Sequence, residues 1–321
     1  MKILHTSVFE DAEGYERARI PGIVCTDNGK LIAYCELRRS DSDWAVIDIG
    51  MKKSSDGGKT WSERKILVSG ENKNTVNNPV MINDGDTLHF LYCVNYKRVF
   101  YMKSTDEGES WTDKTELTDS LRRNAEDFFF SCIAVGPTHG IRLSAGRLLV
   151  PIWMAYNKEN EKSHHPSVIS VIFSDDRGKS WKTGKIFDGL SDPSEFAVAE
   201  IRGEIIASIR HENRDRFRAM GKISADGEIY DVRLTELLPD PVCCGGLFSY
   251  ENELLFSNCA SKTDRENLVL RRLTADMRET DSILISKDAG YSDVCAYPTE
   301  KTAFVLFEKQ KLLILTAVSL K

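Results

Sequence analysis

Short apolar runs broken by polar turns extend along the whole chain. Runs at residues 31–35, 88–95, 99–103, 168–173, 204–209 and 303–308 are strand-length and bounded by polar clusters, which predicts β-strands joined by tight turns. One of these turns recurs. Ser54-Ser55-Asp56-Gly57-Gly58-Lys59-Thr60-Trp61, Ser104-Thr105-Asp106-Glu107-Gly108-Glu109-Ser110-Trp111 and Ser174-Asp175-Asp176-Arg177-Gly178-Lys179-Ser180-Trp181 share the pattern Ser-x-Asp-x-Gly-x-x-Trp. The residue types suit a hairpin turn. Ser and Asp side chains bond nearby backbone N–H groups, Gly accepts positive φ, and Trp pins the turn to the core. The starts at 54 and 104 lie 50 apart, and 104 to 174 is 70. Two weaker copies continue the step of 50: Ser224-Ala225-Asp226-Gly227 and Thr274-Ala275-Asp276. A period of about 50 residues built of strands and turns predicts an all-β, six-bladed β-propeller, one four-stranded blade per period. The repeat runs nearly end to end, so residues 1–321 are read as a single domain.

Composition narrows the class. With 29% charged residues and a net charge of −6, no basic block marks a nucleic-acid partner. No apolar run approaches the length of a membrane span, and Met1 to Tyr15 lacks the apolar core of a signal peptide, so the expected location is cytoplasmic. The eight cysteines, Cys25, Cys35, Cys93, Cys132, Cys243, Cys244, Cys259 and Cys295, mostly sit in apolar strand-like runs without C-x-x-C spacing. They are read as buried free thiols rather than zinc ligands or disulfides. His164-His165 lies in a polar stretch read as solvated loop, and Phe128 to Phe130 is read as core packing.

The repeated turn is the Asp-box, and the chain resembles the sialidase (neuraminidase) superfamily. Further matches follow in family order. Arg19-Ile20-Pro21 is similar to the Arg-Ile-Pro of the first sialidase blade. The charged loop from Glu36 to Trp44, which contains Arg38, falls where sialidases carry an acidic general acid; Asp43 and Asp41 both fit, Asp43 better by its place between Arg19 and the first box. The stretches from Gly136 to Leu143 and Gly146 to Pro151 resemble the middle blade and are placed at one rim of a pocket. In Ser194-Glu195-Phe196-Ala197-Val198-Ala199-Glu200-Ile201 the resemblance points to Glu200 as the glutamate that opens the blade. Arg216 is taken as the second arginine, with Arg218 and Arg210 as alternatives. Arg265 resembles the third. Tyr291-Ser292-Asp293 resembles the nucleophile motif, and Glu308, in Leu306-Phe307-Glu308, the residue orienting the first arginine.

The resemblance implies an exo-glycosidase that hydrolyses a terminal α-linked sialic acid, or a related 2-keto sugar acid, with retention. Its partner would be a sialylated oligosaccharide or glycoconjugate, with no nucleic acid or membrane partner and no cofactor or metal. The residue chemistry agrees with this. A carboxylate on the anomeric carbon calls for forked cations, which Arg19, Arg216 and Arg265 would supply, with Arg38 and Glu308 beside them. A neutral phenol, Tyr291, approaches such a carbon without the repulsion that an Asp or Glu would meet. Glu200 would take its proton and Asp43 would protonate the leaving oxygen. Two other classes carry the same features: a non-catalytic carbohydrate-binding propeller, and a propeller hydrolase or lyase for another acidic sugar.

Overall fold

A computed structural model describes residues 3–9, 14–123, 129–297 and 299–320. Six antiparallel sheets follow one another in sequence, five of four strands and one of five. Blade 1 comprises Arg17–Cys25, Leu31–Arg38, Ile47–Ser54 and Lys65–Val68. Blade 2 comprises Val76–Asn83, Leu88–Val94, Arg98–Ser104 and Thr115–Glu116. Blade 3 is Cys132–Val135, Leu148–Ala155, Ser167–Ser174 and Lys182–Thr183, with Ile141–Arg142 also paired to its second strand. Blade 4 is Phe196–Ile201, Glu204–Ile209, Phe217–Ile223 and Ile229–Pro239. Blade 5 is Gly246–Tyr250, Glu253–Cys259, Glu266–Leu273 and Glu279–Asp288. Blade 6 is Ser292–Tyr297, Thr302–Lys309 and Leu312–Ser319, and its fourth strand is Ile3–Ser7 from the start of the chain. The fold is the six-bladed propeller that the period implies.

Sheet packs on sheet around the ring, which explains the apolar runs. The two middle strands of blade 3 are buried at every position, because both faces of a blade are covered by its neighbours. Such strands read as continuous hydrophobic runs rather than as alternation. The apolar clusters lie between blades: Leu31, Cys295, Phe304 and Leu315 join blades 1 and 6, and Ile32, Met51, Phe90 and Met102 join blades 1 and 2.

All five box turns, weak copies included, connect the third strand of a blade to the fourth. The bonding is the same in each full copy. Gly58, Gly108 and Gly178 donate their N–H to Oγ of Ser54, Ser104 and Ser174 at 2.9, 2.8 and 2.8 Å. Those hydroxyls donate to the box aspartates at 2.8, 2.7 and 2.8 Å. Gly178 is left-handed at φ 81, and a Cβ there would collide with Tyr101 of blade 2; both facts demand glycine. The residue before that glycine reaches back to the preceding blade. Glu107 takes Lys30, Asn28 at 3.1 Å and Thr26 at 3.3 Å, and Arg177 grips Asp84 at 2.8 Å.

The aromatic stretch near residue 128 reads differently from the expectation of core packing. Phe130 packs partly against the core, whereas Phe129 is exposed; Phe128 lies outside the described residues.

Candidate active site

One mouth of the ring collects the starts of several inner strands, with Glu195 and Tyr291 directly before theirs and Arg19, Ile20 and Asn78 within theirs, and residues of the connections between second and third strands. A cleft of about 150 Å³ opens there, lined by residues of all six blades. Tyr291, directly before the inner strand of blade 6, is buried at its centre. Its hydroxyl donates to Glu195 Oε2 at 2.7 Å, and Glu195 stands directly before the inner strand of blade 4. Arg210, at the end of that blade's second strand, donates to the same phenol oxygen at 2.5 Å and pairs with Glu195. The guanidinium carbons of Arg19, Arg265 and Arg210 lie 5.1, 5.1 and 5.9 Å from the Tyr291 ring centroid. Arg265 is exposed at the rim. Burial pushes the Tyr291 phenol well above its ordinary value, and Glu195 adds to this; Arg210, Arg265 and Arg19 oppose it. The resting group is therefore a neutral phenol with a carboxylate placed to receive its proton.

Glu308 ties the first and last blades together. Arg19 Nε donates to Glu308 Oε1 at 3.0 Å, as does the N–H of Ile20. The N–H of Tyr291 donates to Oε2 at 3.1 Å. Burial alone would raise this carboxyl, but Arg19 and the two N–H groups outweigh it, and the net direction is downward. Gly290 has no room for a side chain, since a Cβ would collide with the Glu308 carboxylate. Ile20 is held at φ 56 beside a register shift in the strand. For a β-branched residue that conformation is strained, and the bulge re-aims Arg19 toward the cleft.

Blade 2 repeats the device. Asn78 stands at φ 52 before Pro79, again at a register shift, and its N–H donates to Glu36 Oε1 at 2.8 Å. Glu36 in turn holds Arg38, with Nε at 2.8 Å. Arg38 then reaches Asp43 Oδ1 at 2.6 Å. For Asp43, burial acts upward, but Arg38, His164 and Arg19 outweigh it and hold the carboxyl below its usual range. Beside Asp43, Tyr96, Trp153 and Trp44 surround the His164 ring at centroid distances of 4.8, 5.1 and 5.9 Å.

The structure thus brings Arg19, Arg38, Asp43, Arg265, Tyr291 and Glu308 to one mouth. Asp41 is largely exposed and pairs with Arg17 at 2.8 Å instead. Three expectations require correction. Glu200 lies at the opposite end of the inner strand that Glu195 precedes, about 16 Å away at ~3.3 Å per residue, and its carboxylate accepts from Ser144 N and Oγ at 2.6 and 2.7 Å. The glutamate at the tyrosine is Glu195. Arg216 occupies a left-handed turn position at φ 55 and is not part of the cleft lining. Arg218 is buried between blades, bonded to Asp240 at 3.0 Å and Ser208 Oγ at 2.9 Å. Of the three arginines considered there, Arg210 meets the phenol. His164 is half-buried in the cleft wall, not in a solvated loop, while His165 is exposed. His139 to Arg142 line a cavity at the other mouth. Sequence reasoning missed Glu195, Glu36, Tyr96 and Trp153. A signal for Glu195 existed: like Tyr291, it directly precedes an inner strand.

The BNR repeat-like domain family matches residues 29–299. A sialidase of Bacteroides fragilis is 24% identical over 79% of this chain and 52% of its own length. One from Paraclostridium sordellii is 29% identical over 66% of this chain and 57% of its own. The chain thus spans little more than half of these curated relatives. Among solved structures, the Hadza microbial sialidase Hz136 superposes with a TM-score of 0.83 at 23% identity, covering 96% of this chain and 66% of that one. Trypanosoma rangeli sialidase in complex with sialic acid gives 0.78 at 18%, covering 100% and 59%. At these identities the structural likeness speaks for the propeller alone. The family match over most of the chain, together with the Asp-boxes, makes this protein a member of the BNR repeat-like family within the sialidase superfamily.

Proposed function

We propose that the chain is an exo-acting retaining glycosidase that removes a terminal α-linked sialic acid, or a related 2-keto sugar acid, from a glycan. The observation that carries this reading is the Tyr291 hydroxyl, 2.7 Å from Glu195 Oε2 and ringed by three guanidinium groups. Arg19, Arg210 and Arg265 receive the substrate carboxylate in fork geometry. Tyr291 attacks the anomeric carbon while Glu195 takes the phenolic proton, so charge never builds on a free phenolate. The arginines stabilise what negative charge develops on the oxygen. Sialidases with a tyrosine nucleophile depart from the two-carboxylate scheme of most glycosidases. Asp43 protonates the leaving oxygen, then activates water against the glycosyl–tyrosine bond, which gives retention. Arg38 holds the Asp43 carboxyl below its usual range, so the fraction of Asp43 able to give a proton to the leaving oxygen grows as pH falls.

The test is release of 4-methylumbelliferone from its α-sialoside, with the anomer first released followed by proton NMR. Turnover with α-anomer released first supports the reading. No turnover on sialic, deaminated-neuraminic or octulosonic acid glycosides overturns it.

A further inference from the structure

The other mouth of the ring holds a thiol pair that the proposed reaction does not use. Cys25 ends the inner strand of blade 1, and Cys295 lies within the inner strand of blade 6. Their sulfurs are 2.9 Å apart across 270 positions of sequence, so no other atom separates them. Both remain free thiols. Cys295 is fully buried, but Cys25 is half-buried and faces an open cavity of about 840 Å³ with Thr26, His139 and Tyr297. That volume is in the range that admits a small organic molecule. The remaining six cysteines lie away from this wall; burial pushes up the thiols of Cys35, Cys93, Cys132 and Cys244, and a hydrogen bond to Cys243, with burial second, pushes up that of Cys259.

We propose that Cys25 and Cys295 form an oxidisable clasp, in which a low-molecular-weight disulfide entering this cavity joins the first blade covalently to the last. The Cys25 thiolate attacks one sulfur of the reagent, RSSR, and releases RS⁻, which takes up the proton that Cys25 lost. The Cys295 thiolate then attacks Cys25 Sγ and expels the second RS⁻, which takes up the proton from Cys295. Two protein thiols lose two electrons and RSSR becomes two RSH. The sulfurs need close by less than about 1 Å to reach bonding distance. Burial pushes the Cys295 thiol up, so the second exchange is the slower. The same two strands run from Arg19 and from Tyr291 at the other mouth, and the clasp fixes their spacing without touching either.

The experiment treats the full chain with 2-hydroxyethyl disulfide. The number of thiols titratable after denaturation should fall from eight by two, and digestion should yield a peptide pair linked through Cys25 and Cys295. The thermal midpoint should rise by about 5 °C or more and return on adding dithiothreitol, because the cross-link closes a very long loop. Cys25→Ala should abolish the linked peptides and the rise together. Cys295→Ala should stop at one adduct per chain, on Cys25. No loss of thiols, a lasting adduct on Cys25 in the unmutated protein, or linkage through other cysteines would each overturn the proposal. Should Cys295→Ala fail to fold, Cys25→Ala and peptide mapping decide alone.

Discussion

At the scale of single residues, the cleft separates two glutamates that look alike in sequence. Glu195 directly precedes an inner strand and Glu200 lies near the far end of the same strand, one facing the phenol and the other facing Ser144. Glu195→Gln is expected to lower kcat about 10²- to 10⁴-fold, the usual worth of general base assistance, with the fold intact by circular dichroism. Glu200→Gln should stay within about twofold on the same sialoside assay, since it lacks contact with the reacting group. The pH profile offers a second check. Arg38 holds the Asp43 proton off, so removing that cation raises the Asp43 pKa and moves the alkaline limb of kcat/KM to higher pH. Arg38→Gln alone would strand Glu36 buried and unpaired, so the measurement belongs to the double variant Arg38→Gln, Glu36→Gln. Residues inside rigid local motifs were legible in the sequence: Arg19 before its proline and Tyr291 before Ser292-Asp293. The Glu195 and Arg210 positions were not. Each belongs to a pair of like residues placed at opposite ends of a strand or hairpin, and only the pleat and the hairpin geometry decide which member meets the axis.

At the scale of the element, the Asp-box turn is a self-bonded unit whose Trp carries it onto the core. Trp181 is buried, and its ring packs at 5.7 Å from Tyr101 of the preceding blade. Trp181→Ala should cost about 3 kcal/mol, read as a lower urea midpoint, while kcat of the folded fraction stays unchanged because the turn faces away from the cleft. The box aspartate adds a pH signature. The N–H and hydroxyl of Thr60 and the hydroxyl of Ser54 bond the Asp56 carboxylate and hold its pKa at about 2. In the unfolded chain it titrates near 3.9. The folded value is the lower one, so the turn contributes its full stability above about pH 4 and loses it as pH falls through about 2. Asp56→Asn should therefore flatten the fall of the thermal midpoint between those limits. The turns were readable from sequence because their chemistry is local, with every bond inside eight consecutive residues. The clasp between blades was not, because the position of Glu107 or Arg177 in the motif carries no sign of Lys30 or Asp84 in another blade.

At the scale of the molecule, the blade count followed from the period, but the way the ring closes did not. Nothing local in Ile3–Ser7 marks it as the outer strand of the sixth blade, paired with Leu312–Ser319. Deleting residues 1–8 should leave the Leu312–Ser319 edge unpaired, lower the thermal midpoint and promote association seen by light scattering. The bond between Arg19 and Glu308 crosses the same seam, joining groups 289 positions apart. This has a consequence for biosynthesis. Until synthesis passes residue 308, the first arginine has no carboxylate to set it, although the phenol of Tyr291 is already in the chain. A chain stopped before residue 308 lacks the carboxylate that sets Arg19 and is expected to give no turnover in the sialoside assay. In refolding, turnover should return only with the final docking of the two ends, later than the circular dichroism of the separate blades.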